Sequence, residues 1–214
     1  INGWTPLNMA CYHGNLKIVK SLLEKGANIE SKDLSGCTSL HSSLNRRANF
    51  KFKVIKLLVE KGANIEAKDI QGHTPLHLAC RYVYLEAVKL LLEKGANVDA
   101  KDIGNWTPLH MACRYGNFKV TKLLLEKGAN IEFKTVGGWT PLHMAYEYRQ
   151  FESVQLLKEH VHSIIHSIKI QCFFRVITAK NVCNRLRMEP DKLFDPEFSD
   201  RRKFLLKIDD SRFI

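Results

Sequence analysis

The chain has no CxxC pair, and its six cysteines (Cys11, Cys37, Cys80, Cys113, Cys172 and Cys183) are too scattered over 214 residues to form a disulfide framework. That excludes the small cysteine-stapled folds. It predicts reduced thiols in a cytoplasmic protein, with the nucleus or delivery into a host cell as variants of that expectation. No glycine-rich phosphate loop is present, so the commonest nucleotide-binding signature is missing. No signal-peptide pattern opens the chain. Long hydrophobic runs are lacking too: the most apolar stretch, VHSIIHSIKIQCFFRVI from Val161, is broken by His162, His166, Lys169 and Arg175. It is too polar to span a bilayer. A dominant charge is also missing. The net charge of +11 divides into +7 over the first 159 residues, with 22 basic and 15 acidic side chains, and +4 over the last 55. Much of the lysine has a neighbouring glutamate in the phrase EKG, so nucleic acid is disfavoured as a partner.

What is present is a period. The motif Thr recurs at Thr5, Thr38, Thr74, Thr107 and Thr140, with gaps of 33, 36, 33 and 33. The phrase EKGAN places glycine at Gly26, Gly62, Gly95 and Gly128, with gaps of 36, 33 and 33. Both rulers give a unit of 33 residues, and both assign three extra residues to the second unit. The expected place for them is NRRANFK, from Asn45 to Lys51, where other units have a short turn.

Each unit reads as a helix pair. The Thr suits an N-cap, because its hydroxyl accepts an orphan amide, and the following Pro has no amide to lose. Leu76, Leu109 and Leu142 hold the first buried position, and the small Ala10, Ala79, Ala112 and Ala145 let helices approach. A second helix carries an apolar stripe such as Val120, Leu123 and Leu124, and stops at the EKGAN glycine. Asp69 and Gly72 then suit a turn before the next Thr. One such pair cannot bury its apolar face alone, whereas stacked copies can.

The segment DIQGHTPLHLA from Asp69 closely resembles the signature of the ankyrin repeat family, and the resemblance extends over residues 1 to about 160. It implies an all-α repeat solenoid: five stacked helix-turn-helix repeats with turn or hairpin loops, at about 1–32, 33–68, 69–101, 102–134 and 135–160. Several positions depart from the pattern. The chain begins inside the first unit's turn, which suggests a fragment. Ser39 replaces Pro, Ser43 replaces Ala, Val83 and Arg149 replace the mid-repeat Gly, and Thr135 replaces the turn Asp.

TPLHLAC and TPLHMAC place His77 three residues before Cys80 and His110 three before Cys113. Zinc requires about four ligands within roughly 2.0–2.3 Å, whereas stacked helices lie roughly 8–10 Å apart, so each pair is half a site. A Cys–His nucleophile needs an orienting third group and an oxyanion pocket, and a pair repeated down a stack offers no unique centre. The expectation is therefore that these residues are structural, with no catalytic residue, metal or cofactor in the repeats.

The resemblance implies that partners contact the turn tips and the exposed side of the first helices. The residue before each Thr maps to Trp4, Cys37, His73, Trp106 and Trp139. The seventh and eighth residues after it are Tyr12 and His13, Arg81 and Tyr82, Arg114 and Tyr115, and Glu147 and Tyr148. The expected partner-binding set is Trp4, Tyr12, His13, His73, Arg81, Tyr82, Trp106, Arg114, Tyr115, Trp139 and Tyr148, rich in the residue types that dominate interface hot spots. A second candidate is the basic run Arg46, Arg47, Lys51, Lys53 and Lys56, which suits an acidic partner.

The tail, residues 161–214, lacks the EKGAN stop: Val161 stands where Gly belongs. The second helix is therefore expected to run on, with Val161, Ile164, Ile165, Ile168 and Cys172 capping the stack as a helical C-terminal extension. The expected function is a monomeric, non-enzymatic scaffold or adaptor for protein partners. Two alternatives remain: an adaptor that recruits a captured protein to a ubiquitin ligase or other host machinery through the tail, and an enzyme or metal site built from His162, His166 and Cys183.

Overall fold

A computed structural model describes residues 3–44, 51–163 and 166. The described residues are helical, turn or irregular, with no strand among them. First helices follow each motif Thr: α1 (Pro6–His13), α3 (Ser39–Ser43), α5 (Pro75–Arg81), α7 (Pro108–Arg114) and α9 (Pro141–Glu147). Second helices are α2 (Leu16–Glu24), α4 (Phe52–Glu60), α6 (Leu85–Glu93) and α8 (Phe118–Glu126), and residues 151–163 are also helical. Residues up to Glu159 belong to one compact unit, and the chain from His160 onward falls outside it. Within that unit, first helices pack on first helices and second on second, as in a repeat solenoid.

The local chemistry explains the boundaries. Thr5, Thr38, Thr74, Thr107 and Thr140 all have extended backbone at the N-cap, and Pro opens every first helix except α3. At the far end of α6, Gly95 has φ 87° with nothing near the space a Cβ would occupy, so it is required for its left-handed backbone, not for room. Gly72 differs, because a Cβ there would lie 2.9 Å from the Ile103 amide nitrogen of the next turn. Where glycine is missing mid-repeat, Val83 and Arg149 themselves adopt φ of 63° and 54°.

On the first helices Leu7, Leu40, Leu76 and Leu109 are buried, while Leu142 is only half-buried. Ala79, Ala112 and Ala145 are also fully buried and permit close helix approach. In α3, Ser39 donates to Asn8 Oδ1 at 3.2 Å and Ser43 to the Leu40 carbonyl at 2.7 Å, so both serines at these departing positions are satisfied. The second unit's three extra residues lie between α3 and α4. Residues 45–50 of that connection, including Arg46 and Arg47, are outside the described residues, as are Ile164, Ile165, Ile168, Cys172 and Cys183.

Candidate functional site

The motif histidines His41, His77 and His110 are bonded on both ring nitrogens, whereas the exposed His143 is bonded to Thr140 through Nδ1 alone among the described residues. The Thr74 amide donates to His77 Nδ1 at 3.2 Å and the Thr107 amide to His110 Nδ1 at 3.1 Å. An amide can only donate, so Nδ1 carries the lone pair and Nε2 the proton. The Nε2–H groups point across to the next unit: His41 donates to the His73 carbonyl at 3.1 Å, His77 to Trp106 at 3.0 Å and His110 to Trp139 at 3.0 Å. Burial holds all three below their ordinary pKa, with His77 pushed down to about 4. In the first unit Asn8 takes this role, sending Nδ2 to the Cys37 carbonyl at 3.3 Å. The thiols three residues after these positions are buried, Cys80 and Cys113 after histidines and Cys11 after Asn8, and desolvation raises the Cys11 and Cys113 pKa values to about 12. No thiolate nucleophile is available from them at neutral pH.

A second set of bonds registers the turns. Asp69 Oδ1 accepts the Gln71 and His73 amides at 2.9 and 2.8 Å, and Asp102 accepts those of Gly104 and Trp106 at 2.8 Å. Thr135, standing where the Asp belongs, still accepts the Trp139 amide at 3.2 Å. His73 lies between two turns, with Nδ1 3.1 Å from Asp69 and Nε2 3.4 Å from Asp102. The two carboxylates raise its pKa to about 9, so at neutral pH it is a cationic bridge with 13 % of its side chain exposed. This role was not anticipated from its position before the Thr, where a partner contact was expected. Between neighbouring units, Glu30, Glu66 and Asp99 also accept the amides of Asn64, Asn97 and Asn130 at 2.7–2.9 Å.

The C-terminal ends of α5, α7 and α9 bring together five of the residues expected to meet a partner, Arg81, Tyr82, Arg114, Tyr115 and Tyr148. The Arg81 guanidinium lies 5.6 Å from the Tyr82 ring centre and 5.8 Å from that of Tyr115. Arg114 lies 5.2 Å from Trp106, 5.6 Å from Tyr115 and 4.8 Å from Tyr148. Tyr115 therefore links the two arginines in one continuous ladder, with Tyr115 and Tyr148 37 % and 41 % exposed. Such cation–π contacts favour a guanidinium near the rings without using its N–H donors. Among the described residues neither arginine has a hydrogen-bond or ion-pair partner.

The remaining expected contacts are scattered. Trp4 packs edge-on against Tyr12 at 4.9 Å, and both are half-buried, while His13 is exposed beside them. Trp106 is half-buried against the core under Arg114, whereas Trp139 is exposed. Lys51 is only 3 % exposed, with its ammonium turned onto the Tyr12 carbonyl and ring, so it does not join the exposed Lys53 and Lys56 in a basic surface. The physical reason is that the carbonyl end of α1 accepts a cation there. Lys56 itself lies 3.8 Å from Glu60.

Sequence reasoning overlooked one column. Leu34, Ile70, Ile103 and Val136, each directly after a turn-opening Asp or Thr, are between 61 % and 78 % exposed at the turn tips. The apolar residue after the Asp was a readable signal, since a tip has no fold-internal use for it. Among the described residues no cluster of three or more metal-ligating side chains occurs, and no helix is long and apolar enough to cross a membrane. His162 and His166 are exposed.

A comparison with protein families matches the model described as Ankyrin repeats (3 copies) to this chain over residues 1–69, 35–102 and 102–167.

Proposed function

The chain belongs to the ankyrin repeat family, and on that premise we propose that it is a non-enzymatic adaptor that captures a protein partner on the Arg81–Tyr82–Arg114–Tyr115–Tyr148 ladder and the adjoining turn tips. Repeats of this family generally mediate protein–protein interaction. The observation that carries the assignment to this face is the pair of guanidiniums held against tyrosine rings with no hydrogen-bond or ion-pair partner among the described residues. Large exposed rings beside Arg supply contact area at small entropic cost, with a polar handle at the edge. The exposed Leu34, Ile70, Ile103 and Val136 extend the surface along the tips. Trp139 and Tyr148 mark its far end, while Trp4, Tyr12 and His13 form a smaller aromatic group at the near end.

We place the protein in the cytoplasm, where its buried thiols serve as small apolar fillers. Recruitment of a ligase or other machinery would fall to the tail, which lies almost wholly outside the described residues. Affinity capture with the intact chain and with an Arg81→Ala, Tyr82→Ala, Arg114→Ala, Tyr115→Ala variant tests the assignment. Partners retained by the intact chain should be absent from the variant, whose circular dichroism should be unchanged. An identical set of captured proteins would refute it.

A further inference from the structure

The ladder also states what kind of segment it fits. Arg81 and Arg114 end equivalent first helices of neighbouring units, and packed helices lie roughly 8–10 Å apart. With both guanidiniums held against the Tyr115 ring, at 5.8 and 5.6 Å, two carboxylates spaced by about the helix distance on one side of a ligand would meet them. A β-strand places same-side residues two or four apart, about 7 or 13 Å, and neither matches. A polyproline II segment has three residues per turn and a rise of about 3.1 Å, so residues i and i+3 share one side at about 9 Å. Prolines on such a segment also pack well against aromatic-lined grooves, and Tyr82, Tyr115 and Tyr148 supply three rings at the repeat interval.

We infer that the ladder recognises an extended acidic segment of polyproline II conformation, carrying Asp or Glu at positions i and i+3, one carboxylate on Arg81 and the other on Arg114. The inference rests on the ladder being the partner-binding face. Charge complementarity supports it, because the two guanidiniums lack carboxylates of their own among the described residues. A bidentate fork on a carboxylate is the geometry that a guanidinium with open N–H donors favours. The next unit carries Glu147 at the equivalent position, so the basic pair ends there and an acidic side chain would be repelled beyond it. The segment is thereby limited to two acidic anchors in this part of the stack.

Fluorescence anisotropy on the full chain tests this with fluorescein-labelled twelve-residue proline-based peptides that carry Glu at i and i+3, Glu at i and i+2, or Gln at i and i+3. The i,i+3 glutamate peptide should bind about tenfold or more tightly than either control, as expected for loss of one charged hydrogen-bonded contact. Arg81→Ala and Arg114→Ala should each abolish that advantage, and Arg→Lys should not restore it. Equal binding of all three peptides, or no binding, would overturn the inference. So would a labelled single-stranded oligonucleotide that binds the ladder more tightly than the glutamate peptide. If the glutamate peptide fails while the quadruple alanine variant still loses its captured partners, only the acidic-segment inference falls. If that variant keeps them all, the assignment of the face falls with it.

Discussion

The two ends of α7 face opposite demands. At its start, Thr107 and His110 direct every polar atom into the fold: the Thr amide bonds the ring, and the ring bonds the Trp139 carbonyl of the next unit. At its end, one helical turn away, Arg114 and Tyr115 have donors that no described residue uses. The same contrast recurs on α5, between His77 and Arg81. The buried His77 and His110 and the Cys80 and Cys113 thiols three residues on, residue types that suggest chemistry, are packed into the fold. The guanidiniums of Arg81 and Arg114, at positions the repeat pattern leaves free, have no hydrogen-bond or ion-pair partner among the described residues.

The largest effect should come from breaking the inner end. His77→Ala removes a fully buried ring and orphans the Trp106 carbonyl, which should cost about 4 kcal/mol in a chemical denaturation experiment. Next is pH. The folded pKa of His73 is raised from 6.5 to about 9, so its contribution is complete below pH 6.5 and is lost as pH rises through 9. At most about 3 kcal/mol should disappear between pH 6.5 and 10 in the wild type, and His73→Gln should flatten that limb. The neutral column has the reverse sign. His77 is lowered to about 4, so its contribution is full above 6.5 and falls as pH drops toward 4. Urea midpoints measured across pH 4–10 should therefore peak near pH 6.5.

The outer end should respond the other way round. Arg114→Ala should lower stability by only about 1 kcal/mol, the scale of its cation–π contacts, while weakening partner binding by tenfold or more. A stability loss comparable to that of His77→Ala would erase the distinction between the ends. The smallest effect belongs to the turn beside the ladder. Val83 holds φ 63° with a β-branched side chain, so Val83→Gly should raise stability by about 1 kcal/mol and leave binding intact, as read by thermal melting and anisotropy.

The repeats were legible because the same few bonds recur at one interval, and each bond demands a residue type: Thr for the cap, Pro at the first turn, His to bridge to the next unit. Arg81, Tyr82, Arg114 and Tyr115 were legible by subtraction, as residues the repeat does not need, and the structure brings them together. Other features depend on pairs far apart in sequence. Asn8 fills the role of His only because Cys37 presents its carbonyl there. His73 becomes a bridge only because Asp102 arrives from the following turn. The burial of Lys51 depends on the path of the longer second unit, which no local pattern specifies. The tip column from Leu34 to Val136 was written plainly in the sequence, but apolar residues are usually read as core, and these are not.

Site-specific photocrosslinking tests the central claim most directly. A benzophenone side chain placed at position 115, in the ladder, is compared with one at position 122, where Lys122 is exposed on α8. The account predicts partner adducts from position 115 and none from position 122; adducts from position 122 alone would contradict it.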